Sequence, residues 1–459
     1  MSTAALRDVL RYGGLGLPLA FVALPLVVQW PAFAASRWGM PLAALGALLV
    51  AVRVADAFVD PWIGQRADGW FRRAGHAPWG ALFAAAVLLV VGFVALFHAP
   101  ALLWLAGPST GLWAWCVLAL ALTYLGYSLA QVVHQAWGAR LGGDEVERSR
   151  WVGAREAFSL VGVMAASVLP TVAGWSVTAT VLAVLLRLAL AALWGLGSGQ
   201  PAVALLAMKP GPAAESSPAA GSTSTSTPSA GLASPWRVPA FRSLLLVYTV
   251  NGLAASIPAS LVLFFIRDRI QAPASFEAAA LAAYFGAAAL AVPMWVRVVR
   301  RLGLVTSWAL GMGLAILSFA GAVAVGNGQT GLFLAICVAS GLALGADLVA
   351  PPAVLAGVIQ RSGVQGQAEG RWFGWWSMAT KLTLALAAGI SLPLVQALGY
   401  APGGRDAQAL QALAIVYAAV PCAIKALALL AVLRWRHQWS VPRVPGATPH
   451  FPTIQKALP

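Results

Sequence analysis

The stretch RVADAFVDPWIGQRADGW, from Arg53 to Trp70, sets three aspartates and two arginines inside an apolar part of the chain. Asp56 and Asp60 are four residues apart, so on a helix they share one face, and Arg53 lies on that face three residues earlier. A charge near the centre of a bilayer costs roughly 3 kcal/mol or more, which makes such residues candidates for function. Two neighbouring carboxylates can ligate a hard cation such as Na+ through oxygen. They can also share a proton, because like charges side by side resist ionising together. Either property suits an ion-coupled carrier, whereas an Arg53–Asp56 pair that merely ties helices together is the simpler reading. One helical turn further on, Gly64, Asp68 and Arg72 form G-x-x-x-D-x-x-x-R. Asp68 and the arginines there suit an inter-helix charge lock, or a solvated basic loop that sets topology.

The elements that position these residues follow from composition. Hydrophobic residues make up 60% of the 459 and charged residues 9%, against roughly a quarter charged in a soluble protein. Mean hydropathy is +0.81. The class is therefore an all-α, multi-pass membrane protein. A bilayer span needs about 20 apolar residues. Twelve such runs are expected: 13–35, 41–63, 79–99, 112–138, 153–174, 177–197, 243–266, 276–296, 304–325, 331–358, 372–398 and 409–433. Prolines within them, Pro25, Pro258 and Pro351 among others, predict kinks that neighbouring helices tolerate. Trp372, Trp375 and Trp376 open the eleventh run and read as part of an interfacial aromatic belt.

Residues 199–240 are rich in Gly, Ser, Thr and Pro, a composition that builds no core and predicts a flexible linker. It separates a bundle of six helices over 1–198 from a second over 241–434, with a tail at 435–459. The net charge of +15 does not point to nucleic acid, because the basic residues lie in short loops between apolar runs. Of the 29 Lys and Arg residues, 20 fall at one set of helix ends and four at the other. The basic ends, both termini and the linker are thus expected in the cytoplasm, and the chain in the inner plasma membrane. Cys116, Cys337 and Cys422 lie far apart in apolar runs and suggest neither disulfide nor metal site.

The Gly64–Asp68–Arg72 pattern resembles the loop signature between the second and third helices of the major facilitator superfamily. The longer stretch RVADAFVDPWIGQRADGWFRRAGHAPW is similar to the D-x-x-x-D-P-x-x-G helix of its glycoside–pentoside–hexuronide:cation symporter branch, the melibiose-permease-like family. Further segments resemble that family: YSLAQVVHQAWGARLGGDEVER from Tyr127, VYTVNGLAASIPASLVLFFIRD from Val247 and EGRWFGWWSMATKLTLALAAG from Glu369. The resemblance implies Asp56 and Asp60 as cation-binding carboxylates, Ser128 as a hydroxyl donor beside them and Lys381 as a lysine near the cation site. It implies Arg155 as a sugar contact. Gln131 stands at a family position that is acidic, Gln135 at one that is aromatic, and Pro18 where a first-helix acid would be.

Further polar residues are candidates by type. His134, one turn from Gln131, suits a proton relay or substrate donor, or a satisfied core histidine. Asn251 and Tyr248 are expected at the cavity, and Asp347, above Pro351 and Pro352, at a gate or a structural kink. Arg187 and Lys425 receive no role. The expected function is cation- or proton-coupled symport of a small solute, sugars or glycosides first, by a monomeric carrier with Na+ or H+ as coupling ion and no other cofactor. A lipid or other amphiphile as cargo is the alternative within the fold. A membrane-embedded prenyl transferase is a poor fit, since D-x-x-x-D occurs once and such enzymes need two aspartate clusters for Mg2+.

Overall fold

A computed structural model describes residues 3–74, 78–104, 109–197 and 234–439. The regular structure within them is helical. Most of the linker and the end of the tail therefore lie outside the described residues. Twelve membrane-crossing segments occupy the described chain, six on each side of the linker. Ten are continuous helices long and apolar enough to span a bilayer. The first is divided: Gly16–Leu24 passes through a wide turn at Pro25–Gln29 into Trp30–Trp38. The expected kink at Pro25 is thus a local widening, which a missing proline N–H favours. The second, Leu42–Ala74, runs about three turns beyond the apolar run that predicts it and carries Asp56, Asp60 and Asp68 along its length.

The third and fourth helices are Trp79–Phe97 and Thr110–Arg140. The fifth and sixth, Glu145–Pro170 and Val172–Leu196, run into one another through Gly174, whose φ of 78° only glycine adopts readily. The seventh to twelfth are Pro239–Ile270, Ser275–Leu302, Leu304–Ala324, Thr330–Arg361, Glu369–Ala397 and Ala407–Trp439. The seventh thus begins two residues inside the predicted linker, because Pro239 is preset for a helix start and needs no N–H partner.

Lipid tails are as apolar as leucine, so helices here associate through close packing. Small residues provide it. A Cβ built on Gly126 would lie 2.6 Å from the backbone of Leu89, and one on Gly162 2.2 Å from that of Leu17. The N-terminal six helices enclose one core. The C-terminal six have a core near the basic end around Phe241, Trp308 and Trp372, and a second around Phe265, Phe333 and Tyr417. Trp372 and Trp376 are consequently buried, packed on Phe241 and stacked on Tyr248, rather than part of an interfacial belt. Their indoles face inward because the eleventh helix is flanked by the seventh, second and fourth. At the end opposite the basic loops, the Tyr400 hydroxyl donates to buried Asp268. Burial and that carboxylate hold the Tyr400 phenol above its ordinary pKa. The two bundles meet where the second helix packs on the eleventh, the fifth on the eighth and tenth, and the fourth on the eleventh.

Candidate functional site

Between the bundles lies a cavity of about 280 Å3. Arg53 and Asp56 come to its wall from the second helix, Tyr124, Tyr127 and Gln131 from the fourth, and Tyr248, Asn251 and Ser256 from the seventh. Asp347 comes from the tenth, with Ser377, Thr380, Lys381 and Thr383 from the eleventh. These hydroxyls, amides and charges reach a wall whose surface, with Ala23, Leu26, Ala255 and Leu384 also on it, is mostly apolar.

Asp56 and Lys381 meet at one point of this wall, with Asp60 and Ser128 buried behind them. Lys381 Nζ donates to Asp60 Oδ1 at 2.8 Å and to Ser128 Oγ at 2.6 Å. It also lies 2.6 Å from Asp56 Oδ2 and 2.7 Å from Asp60 Oδ2. Ser128 Oγ donates to Asp56 Oδ1 at 2.6 Å. Asp60 is 0% exposed, Asp56 7% and Lys381 8%. The one-turn spacing of the aspartates sets both against a single ammonium, as their shared helical face requires. Two carboxylates against one ammonium leave one formal negative charge in a buried place. Asp56 is therefore partnered by Lys381 and Ser128; Arg53 has no ion-pair partner among the described residues and lines the cavity instead.

The other candidates separate into three places. Gln131 and Asn251 are on the cavity wall. Arg155 and Gln135 lie outside it, beside a small gap toward the basic end that Tyr12, Trp151 and Phe373 also line. Arg155 pairs with its neighbour Glu156. His134 is 1% exposed and faces the first helix: its Nε2 donates to the Tyr12 carbonyl at 2.9 Å, and the Tyr12 hydroxyl donates to the His134 carbonyl at 3.1 Å. His134 is thus a core histidine tied to the first helix through Nε2, while its buried Nδ1 has no hydrogen-bond partner among the described residues.

Gly64, Asp68 and Arg72 meet the start of the eleventh helix at the basic end. Asp68 Oδ1 accepts from the Gly370 N–H at 2.7 Å and Asp68 Oδ2 from the Arg371 N–H at 2.9 Å. A helix leaves its first N–H groups unsatisfied and carries partial positive charge there, so a carboxylate from the opposite bundle caps it. Arg140 bridges Asp68 at 3.3 Å and Glu369 at 2.9 Å, and Arg72 donates to the Gln367 carbonyl at 3.0 Å. The fifth helix repeats the device: Glu145 accepts from the Leu304 N–H that opens the ninth helix, at 3.0 Å. Arg148 donates to Gln360 on the tenth at 2.5 Å.

The sequence model of the MFS/sugar transport protein family matches residues 11–436. The chain belongs to this melibiose-permease-like family. It is a multi-pass membrane protein and a secondary transporter rather than an enzyme. Solved structures share its fold. A bacterial homologue of the iron transporter ferroportin, in an outward-facing state, matches with a TM-score of 0.63 at 15% identity, over 94% of this chain and 98% of that one. The MFS transporter FucP in its outward conformation matches at 0.58 and 13%, over 96% and 99%. A second structure of FucP, the E. coli fucose:proton symporter, matches at 0.55 and 14%, over 95% and 98%. At these identities the likeness concerns the fold alone. Comparison with curated protein sequences finds no match.

In this transporter the described bonds between bundles run from the level of Lys381 to the basic end, so the structure is closed on that side. Arg140, Glu369 and Glu145 belong to the closure and were not singled out by residue type. Acidic and basic residues at helix ends look like solvated loops until the partner bundle is in place. Asp68→Asn removes charge from three bonds, each worth about 1.5–3 kcal/mol when one partner is charged. The expected result is faster alkylation of a Gln135→Cys reporter in the sealed gap, by about tenfold or more; an unchanged rate would mean that Asp68 does not hold the basic end shut.

Proposed function

We propose that this transporter is a symporter that couples entry of a small polar solute, of the sugar or glycoside class, to one monovalent cation, H+ or Na+. The carrying observation is the Asp56–Asp60–Lys381–Ser128 cluster: one excess negative charge, buried, and shared between the two bundles. Within the cluster that charge has no ion-pair partner, and enclosing it away from water is costly. The empty cluster therefore resists the closure that alternating access requires. Uptake of one cation neutralises it and removes that resistance. Lys381 has a double part, because the ammonium that balances the aspartates also ties the eleventh helix to the second. A cation taken by the carboxylates competes with Lys381 and weakens the tie, which links ion binding to rocking of the bundles.

The charges, amides and hydroxyls that Asp56, Gln131, Asn251, Asp347, Thr380 and Lys381 bring to the wall support a hydroxylated solute over a lipid or other amphiphile, which would leave them unpaired. The loop charges support a cytoplasmic side for the basic ends and both termini, in a cell inner membrane, with uptake as the direction. Uptake of a mixed library of sugars and glycosides into proteoliposomes tests this, with a Na+ gradient and a pH gradient imposed in turn. Accumulation under one gradient names the ion and the solute together. Equal entry with and without either gradient would reject coupling.

A further inference from the structure

A second buried charge cluster faces the same cavity and lies wholly within the C-terminal bundle. Lys425 Nζ, from the twelfth helix, donates to Asp347 Oδ2 and to Asn251 Oδ1, each at 2.7 Å. Asn251 Nδ2 donates to Asp347 Oδ1 at 3.1 Å, and Trp308 Nε1 to the same oxygen at 2.9 Å. Four helices, the seventh, ninth, tenth and twelfth, thus converge on one carboxylate. Asp347 and Asn251 reach the cavity wall while Lys425 and Trp308 stand behind them.

Two features separate this cluster from the one at Asp56. It is formally neutral, one carboxylate against one ammonium, so nothing in it calls for a coupling ion. Its bonds stay within one bundle, so rocking of the bundles leaves it intact. It is a fixed device, unlike the inter-bundle tie at Lys381. Its unused valences are specific. A carboxylate offers about four acceptor positions and an amide nitrogen two donors. Asp347 accepts three bonds and Asn251 Nδ2 gives one. One acceptor position on Asp347 Oδ2 and one donor on Asn251 Nδ2 are left, on two bonded residues that both line the wall. A solute hydroxyl satisfies both, donating to Asp347 and accepting from Asn251.

We propose that Asp347 is a solute-recognition carboxylate of the C-terminal bundle, aimed and charge-balanced by Lys425 and Trp308, and that with Asn251 it binds one hydroxyl of a neutral polyhydroxylated solute. The inference rests on the reading of the cavity as a sugar-class site. It makes Lys425 a positioning residue, and it has the solute gripped by the C-terminal bundle independently of the coupling cluster.

Binding of D-galactose, D-glucose, D-xylose and their methyl glycosides to the full chain in nanodiscs, by titration calorimetry, tests it. At least one sugar is expected to bind the unaltered chain, and Asp347→Asn to weaken it about tenfold or more, the loss of a bond to a charged group. Breaking only one side of a buried pair also endangers folding, so the decisive protein carries Asp347→Asn with Lys425→Met, which removes both charges together. That double variant is expected to stay monodisperse and to bind as weakly as Asp347→Asn. Affinity restored to the original value in the double variant would overturn the inference, since the pair would then be structural, and the sugar reading would survive. No sugar bound by the unaltered chain would overturn both.

Discussion

Gradient-driven accumulation is expected to vanish in Asp60→Asn while the protein remains folded in the membrane. A tenfold ion gradient stores about 1.4 kcal/mol and sustains about tenfold accumulation at one ion per solute. The substitution should bring the ratio of internal to external solute in proteoliposomes to one. Asp60 is fully enclosed, and its two oxygens lie 2.8 and 2.7 Å from Lys381 Nζ. Asparagine keeps the shape and one acceptor for that ammonium, so the tie between bundles survives in part. The charge count changes instead. Asp56 and Lys381 alone are formally neutral, and the cluster no longer has an excess charge that an ion must cancel before the bundles can close. Solute exchange down its own gradient should persist. Full accumulation by this variant would remove the coupling role from the pair.

Gly64→Ala is expected to drive the transporter out of the conformation described here. A Cβ at Gly64 would sit 2.0 Å from the Gly370 carbonyl oxygen, where 3.0 Å is already closer than real Cβ atoms come. Both contacting elements are helix backbone, so no rotamer change relieves the clash and the second and eleventh helices must part. A Cβ built on Gly370 would likewise lie 2.3 Å from the Gly64 oxygen, and one on Gly374 2.5 Å from the Asp60 oxygen. Overpacking of this kind costs about 1–3 kcal/mol, a shift of roughly 5–150-fold between two states. Distances between spin labels at the basic ends of the second and eleventh helices should lengthen. Gly389→Ala, on the same eleventh helix with nothing near its Cβ position, should leave them unchanged. Identical distance distributions for Gly64→Ala and Gly389→Ala would mean that the glycine contact does not hold the closed end.

The two experiments address different parts of one cycle. The glycine contact and the Asp68 cap set how tightly the basic end closes. The Asp60 cluster sets whether closing and opening require an ion. A variant defective in the first should still depend on the gradient, and a variant defective in the second should still change conformation.

The number of crossings was legible in the amino-acid order because a bilayer demands long apolar runs and tolerates few interruptions. The orientation signal was legible in the loops for the same reason, and Asp56 and Asp60 stood out because burying them is expensive. Their common partner was not readable from spacing. Lys381 is 321 residues from Asp60, and the ammonium reaches the carboxylates because the second, fourth and eleventh helices pack together. Arg53, three residues from Asp56 on the same face, was the nearer partner in sequence and is not the partner in space. Nor could the chain order say that His134 turns toward Tyr12, that Trp376 stacks on Tyr248, or that Lys425 meets Asp347. In a soluble helix, an apolar stripe marks the inward face. In a membrane helix the lipid-facing side is as apolar as the core, so the rotation of each helix, and with it every contact between helices, was decided only by tertiary packing.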